Sequence, residues 1–102
     1  MAEVLKIHGA GAVLIRHRKK ARLTKAKMAS RLGWRISRLV KYENNERGLT
    51  LSTLEEIAKA LGQRAEVLVL LCLKEKYPEL KKKGSVIGRQ FDALVNALKG
   101  GK

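Results

Sequence analysis

Two short helical patterns lie on either side of a single glycine, and this arrangement leaves the chain few ways to fold. Thr24 is a favoured N-cap residue, and it precedes a helix predicted over 25–32. Gly33 follows at the position where a left-handed C-cap is preferred. A second helix is predicted over 36–44, and Asn45 is expected to end it because Asn tolerates a positive φ well. We therefore expect two helices joined by a tight turn.

Three further segments have helical periodicity and a fourth, 65–77, is preferred as a helix because good helix formers extend it, so the expected fold class is all-α. They cover 12–21, 52–61, 65–77 and 86–98. Two of them carry a clear apolar stripe, which predicts that one side of each helix is buried. The stripes are Leu51, Leu54, Ile57, Ala58 and Leu61 in the first, and Ile87, Phe91, Leu94, Val95 and Leu98 in the second.

Three segments are harder to interpret. The apolar run 65–73 is read as the start of a helix, although the β-branched Val67 and Val69 keep a strand open. The N-terminal segment 1–10 is left unassigned, as a strand or as disordered chain. Residues 46–50 are expected to form a polar loop.

Charge is distributed very unevenly along the chain. There are 23 Lys and Arg residues against 9 Asp and Glu, for a net charge of +14. Between Glu3 and Glu43 there are twelve cations and no acidic residue. Such a run repels itself, which is unfavourable unless the partner is a polyanion. Because apolar residues at helical spacing are interleaved with these cations, the run belongs to folded structure, and we expect it to bind nucleic acid.

Composition excludes several other classes of protein. A chain of 102 residues allows one compact domain. Its aromatic content of 4% argues against a protein that binds single strands by stacking bases. No apolar run reaches the roughly 20 residues of a membrane span, and the N-terminus does not resemble a signal peptide. The single cysteine, Cys72, fits a reducing compartment, so we expect a cytoplasmic, nucleoid-associated protein.

No residues stand out as catalytic or metal-binding, and no cofactor is expected. His8 and His17 are not spaced with Cys or carboxylates as metal ligands are. Glu55 and Glu56 are adjacent, so they point away from each other on a helix and make a poor acid/base pair. We do not expect an enzyme.

Two short helices with a glycine-containing turn, in a basic stretch, form the helix-turn-helix pattern. In that motif the first helix crosses the DNA backbone and the second enters the major groove. Beyond this general pattern, the chain resembles the lambda-repressor/Cro-like (xenobiotic-response-element type) DNA-binding domains over about residues 11–62. The matching residues are Leu23, Thr24, Met28, Ala29, Leu32, Gly33, Trp34, Ser37, Leu39, Glu43, Asn44, Arg47, Leu51, Leu54, Ile57, Ala58, Ala60, Leu61 and Gly62.

The resemblance implies a domain organisation. A five-helix Cro/lambda-repressor-like domain is expected over 11–77, in which 11–62 is the four-helix match and 65–77 is the fifth helix. The segment 78–102 is then a C-terminal helical extension. Apart from the resemblance, its apolar stripe, together with 67–73, is the candidate dimerisation surface. The alternative is that its stripe only completes the core of the monomer.

The resemblance also implies which residues bind DNA. Base edges face Ile36, Ser37, Val40 and Lys41 on the recognition helix. Arg35 and Arg38 flank them, and contact either guanine or phosphate. Lys25, where the family usually has Gln, is expected to contact phosphate. The full predicted set is Lys25, Arg35, Ile36, Ser37, Arg38, Val40, Lys41, Asn44 and Arg47.

Two further residues are assigned structural roles by the same resemblance. Arg18 and Glu43 align with an Arg and a Glu that pair in some members of the family, so we expect a partly buried ion pair that braces the recognition helix. Trp34 replaces a smaller apolar residue of the turn. It is interpreted as a core residue, with a wedge that faces DNA as the alternative.

The predicted function is a sequence-specific, double-stranded DNA-binding transcription regulator and repressor. One recognition helix covers about four to five base pairs, which is too few for specificity in a genome, so a homodimer on a palindromic operator is expected. Two alternatives remain. One is an antitoxin-like regulator whose C-terminal half binds a toxin-like partner protein, and the other is a DNA-binding protein of low sequence specificity.

Overall fold

A computed structural model describes residues 6–82 and 84–100. These residues form six α-helices, a two-stranded antiparallel sheet and one 3₁₀ turn at Pro78–Leu80. The predicted all-α class with a C-terminal helical extension is confirmed, because the sheet has only two residues per strand. In chain order the elements are β1 (Lys6–Ile7), α1 (Gly11–Lys20), α2 (Lys25–Leu32), α3 (Ile36–Glu43), β2 (Leu49–Thr50), α4 (Leu51–Leu61), α5 (Ala65–Lys76) and α6 (Val86–Gly100).

Local chemistry sets the limits of the helices around the turn. The Oγ1 atom of Thr24 accepts a hydrogen bond from the backbone N–H of Lys27 at 3.1 Å, and so caps α2. Gly33 ends α2 with a φ of +71°, a conformation that a residue with a Cβ adopts only with strain. Asn45 follows α3 with a φ of +63°. Helices α2 and α3 are therefore held close together by a short turn.

The sheet corrects one expectation about the chain and decides another that the sequence leaves open. Residues 6–7 are a strand that pairs with 49–50, so the polar loop expected over 46–50 is wrong at its last two residues. In the register of the pairing Ile7 lies opposite Leu49, and both side chains are buried. Burial of these two apolar side chains stabilises a pairing that is too short to show strand periodicity in the sequence.

The apolar run at 65–73 lies in α5, a helix that ends at Lys76. Val67, Leu68 and Cys72 are its buried residues. Tyr77 has an extended backbone and precedes Pro78, as expected of a residue before proline.

The core lies between α1, α2, α3, α4 and α5, and the short sheet covers one end of it. Helix α1 approaches α3 so closely that a Cβ at Gly11 would overlap the carbonyl oxygen of Glu43. The backbone N–H of Gly11 donates to Asn45 Oδ1 at 2.7 Å. The fully buried side chains of the core are Ile7, Met28, Leu39, Leu49, Leu54, Ile57, Leu68, Val13 and Cys72.

Two predicted apolar stripes are only partly buried. Leu51 is 51% exposed, because it is the first residue of α4 and lies at the rim of a shallow groove between α4 and α5. On α6, Val95 is buried against the rest of the protein, but Ile87 and Leu94 are 56% and 50% exposed. The apolar arc of α6 is thus wider than the surface of α5 that covers it. None of the described helices is long and apolar enough to cross a membrane.

Candidate nucleic-acid interface

Helix α3 has one side in the core and one side in solvent. Leu39, Tyr42 and Glu43 are its buried residues, and they fix its rotation about its own axis. On the other side Ser37 and Lys41, one helical turn apart, are exposed. The side chains predicted to meet base edges therefore lie on the outward side of α3.

The predicted DNA-binding residues do not all have the same exposure. Ile36 at the start of α3 is 47% exposed, which leaves its apolar side chain largely uncovered. Arg38 and Val40 are partly buried. The exposed members of the set are Lys25, Arg35, Ile36, Ser37, Lys41, Asn44 and Arg47.

A shallow cationic concavity joins the turn, α3 and the loop that follows α3. Its wall is formed by Gly33 and Trp34 of the turn and by a group of predicted DNA-binding residues, namely Arg35, Ser37, Arg38, Lys41 and Arg47. No acidic side chain is among these lining residues. A concave surface with four cations and a hydroxyl group is suited to the sugar–phosphate backbone and to acceptors on base edges. The other predicted residues, Lys25, Ile36, Val40 and Asn44, do not line it.

Stacking on aromatic rings fixes two of these guanidinium groups. The Cζ atom of Arg38 lies 4.0 Å from the centroid of the Trp34 ring, and that of Arg47 lies 5.3 Å from the Tyr42 ring. The two rings are themselves 5.4 Å apart, centroid to centroid. Trp34 is partly buried and packs against the core, and the guanidinium of Arg38 lies over the ring. The ring therefore supports Arg38 at the interface. A stacked guanidinium keeps its N–H groups at the edge, free to bind an anion.

The first turn of α2 carries two further exposed cations. Thr24 caps the helix, and Lys25 and Lys27 are exposed beside its N-terminus. The N-terminus of a helix carries a partial positive charge, to which these two side chains add. This geometry suits a phosphate group.

A buried ion pair lies behind the recognition helix. Arg18 Nε donates to Glu43 Oε2 at 2.7 Å, and Arg18 Nη1 donates to the backbone carbonyl of Leu23 at 2.9 Å. Glu43 is on the last turn of α3 and Arg18 is on α1. Arg18 is consequently turned into the protein, away from the cationic surface.

The strand β1 borders the same surface, a position that the sequence analysis did not predict. Lys6 and His8 lie beside Arg38 and Arg47. Nothing in the local sequence pattern indicates this placement, because it depends on pairing with a distant segment.

The remaining reactive side chains do not form a catalytic arrangement. Burial raises the pKa of the Cys72 thiol to about 12, and the neighbouring Glu75 adds to the rise, so the thiol stays protonated at neutral pH. His17 Nδ1 lies 2.7 Å from Nε2 of Gln63, a neutral amide. Within residues 6–82 and 84–100, no cluster of three or more His, Cys, Asp or Glu side chains could hold a metal ion.

Comparison with known proteins gives one match. Residues 14–68 match a family described as helix-turn-helix, and this segment is more than half of the 102 residues. It begins in α1, ends in α5, and includes the whole of α2, the turn and α3. No curated protein and no solved structure matches the chain.

Proposed function

The chain belongs to the Cro/C1-type helix-turn-helix family of DNA-binding transcription regulators, and from this premise we propose that it reads a specific double-stranded operator with α3 in the major groove. The observation that carries the proposal is the outward side of α3, where Ser37 and Lys41 lie beside a concavity lined by cations. The opposite side of α3 is anchored by the buried Leu39 and Tyr42. A helix held in this way presents side chains to base edges in one fixed orientation.

Different residues take different roles in the proposed complex. Lys41 donates to the O6 and N7 acceptors of guanine, and the exposed Ile36 contacts a thymine methyl group. Ser37 and Val40 complete the contacts with base edges. The side chains that hold phosphate are Lys25 on α2, Arg35, Arg38, Asn44 and Arg47.

The proposed regulator is a homodimer that acts as a repressor by occupying a palindromic operator. The support is the apolar surface left open on α6, where Val86, Ile87 and Leu94 are each at least half exposed. Two copies paired through α6 would place their recognition helices on half-sites about one helical turn apart, or a multiple of it.

Selection of binders from a random double-stranded pool, at near-physiological salt and with competitor DNA, tests this function. An enriched palindrome supports the dimeric regulator and identifies its half-site. Tight binding without enrichment contradicts sequence-specific reading and favours the DNA-binding protein of low specificity. No retained DNA contradicts DNA binding and favours the antitoxin-like alternative.

A matched pair of variants connects the result to α3. In Ser37→Glu a carboxylate would stand on the outward side of the recognition helix, so this variant should retain no DNA. Ser30→Glu makes the same change at an exposed position of α2 away from the concavity, so it should select the wild-type sequence. Equal effects of the two changes would contradict the assignment of α3.

A further inference from the structure

The register of the small sheet decides which side chains of β1 face outward. Lys6 pairs with Thr50, and Ile7 pairs with Leu49. Because successive side chains of a strand point to opposite faces, the burial of Ile7 turns Lys6 to the other side, and His8 is the first residue after the strand. Lys6 and His8 are both exposed.

That outer side of β1 continues the cationic surface of α3. Lys6 and His8 line a second concavity, on which Arg38 and Arg47 also lie. The same two arginines line the concavity at the turn and α3, so the two depressions meet at Arg38 and Arg47. Glu46 is the one acidic side chain among the described residues that line the second depression. The side chains that line the second depression carry a net positive formal charge even when His8 is neutral.

Packing against Gly48 fixes the position of β1 relative to Arg47. A Cβ atom at Gly48 would lie 2.6 Å from Cε1 of His8, which would force the imidazole to shift, and 3.0 Å from Cβ of Lys6, which is a tight contact. The side chains of β1 therefore rest directly on the backbone of residue 48, next to Arg47. Glycine at this position is what allows the strand to approach the loop.

We propose that β1 and the residue that follows it form a second phosphate-binding element of the DNA interface, in which the Lys6 ammonium and a ring N–H of His8 hold a phosphate next to the one bound by Arg47. This inference rests on the proposed function, since it extends the same interface. Phosphate is the expected ligand because Lys6 and His8 lie outside the recognition helix, in the depression that Arg47 also lines, and an ammonium group binds phosphate as a point charge. Contacts of this kind set affinity and register on the duplex and carry no sequence information.

The salt dependence of DNA binding tests the proposal. The dissociation constant of the full chain is measured over a series of salt concentrations, on the selected operator and on a random duplex. We expect Lys6→Gln to weaken binding by the same factor on both duplexes. It should also reduce the slope of log affinity against log salt by about 0.9, the value for one phosphate contact. Lys6→Arg, which keeps the charge, should restore both the affinity and the slope.

Two controls make the outcomes distinct. Lys99→Gln removes one exposed charge from α6, outside both concavities, and should keep the wild-type slope. Far-ultraviolet circular dichroism and thermal melting show whether Lys6→Gln is folded. If Lys6→Gln keeps the wild-type slope while Arg47→Gln lowers it, the inference about β1 is overturned and the proposed function stands. If the wild type binds neither duplex, the proposed function fails and the inference fails with it.

Discussion

The guanidinium of Arg18 and the carboxylate of Glu43 form a two-point contact in the protein interior. Nε donates to Oε2 at 2.7 Å and Nη2 donates to Oε1 at 3.3 Å. The side chains are 7% and 2% exposed, so water screens the pair very little. Because Glu43 stands on the last turn of α3, this contact ties the recognition helix to α1.

Breaking that contact should destabilise the fold strongly. Arg18→Met and Glu43→Leu each leave one buried charge without its partner, and we expect each to lower the free energy of unfolding by about 3–5 kcal/mol. The double variant should be less destabilised than the sum of the two, because no unpaired charge remains. Urea denaturation followed by circular dichroism measures all four proteins.

The exposed ion pair between Lys82 and Glu79 is the matched control. Its side chains are 71% and 69% exposed, so Lys82→Met should change stability by less than about 1 kcal/mol. Additive losses in the Arg18→Met/Glu43→Leu protein would contradict a direct coupling of the two side chains.

The helices could be predicted from sequence because their signals are local. A threonine before α2 and a glycine after it mark the two ends, and the structure has a hydrogen-bonded Thr24 cap and a left-handed Gly33 at these positions. The pairing of β1 with β2 could not be predicted in this way. Two residues per strand give no periodicity, and the contact of Ile7 with Leu49 joins distant parts of the chain.

The candidate site was predictable in its residue types but not in its details. The base-facing positions proposed on α3 follow from the family pattern, whereas the stacking of Arg38 on Trp34 depends on two side-chain conformations that no pattern encodes. The stripe of α6 shows a similar limit. The apolar residues of the stripe are visible in the sequence. Which of them α5 covers depends on how the two helices cross, and in the structure Val95 is buried whereas Leu94 is exposed.

Replacement of two lysines should separate base reading from phosphate binding. We expect Lys41→Ala to change the preferred sequence, because Lys41 is on the outward side of α3. Lys25→Ala should weaken binding to all sequences alike, because Lys25 stands at the N-terminus of α2. Repeating the selection with each variant measures both effects. Equal and uniform losses would contradict the placement of the recognition helix.

The fluorescence of Trp34, the one tryptophan of the chain, should report DNA binding. When a phosphate or a base binds Arg38, the electrostatic environment of the ring 4.0 Å from its Cζ atom changes. We expect the emission of Trp34 to change on titration with operator DNA.

Arg38→Met tests the origin of this signal. It should weaken DNA binding by about 1.5–3 kcal/mol, the value of a hydrogen bond to a charged group, and reduce the change in Trp34 emission at saturation. Arg31→Met on α2 is the control, and a signal lost equally in both variants would exclude a specific role of Arg38.

His17 should make stability depend on pH. Its pKa is lowered from the ordinary value of 6.5, first by burial and then by the nearby charges of Arg16 and Lys20. The unfolded chain therefore takes up the proton at a higher pH than the folded chain, and the free energy of unfolding falls as the pH drops below 6.5. Well above that pH the group is neutral in both states and has no effect.

Thermal melting at about pH 7.5 and about pH 5.5 tests this linkage. Between these two pH values the melting temperature of the wild type should fall further than that of His17→Gln, which cannot take up the proton. Lys19→Gln on the same helix removes a positive charge but keeps the imidazole, so it separates titration of His17 from a change in net charge. An equal fall in the melting temperatures of the wild type and His17→Gln would contradict the prediction.

A charge on the open side of α6 should dissociate the proposed dimer. Leu94 is 50% exposed and Ile87, two helical turns earlier, is 56% exposed, so a carboxylate at residue 94 would be buried without a partner in a paired interface. We expect Leu94→Glu to be monomeric by sedimentation velocity, with a normal helical content and weaker binding to the palindromic operator. Ala93→Glu adds the same charge at the adjacent exposed position, turned away from the stripe, and should remain dimeric. A dimer that persists in Leu94→Glu would exclude this side of α6 as the contact between copies.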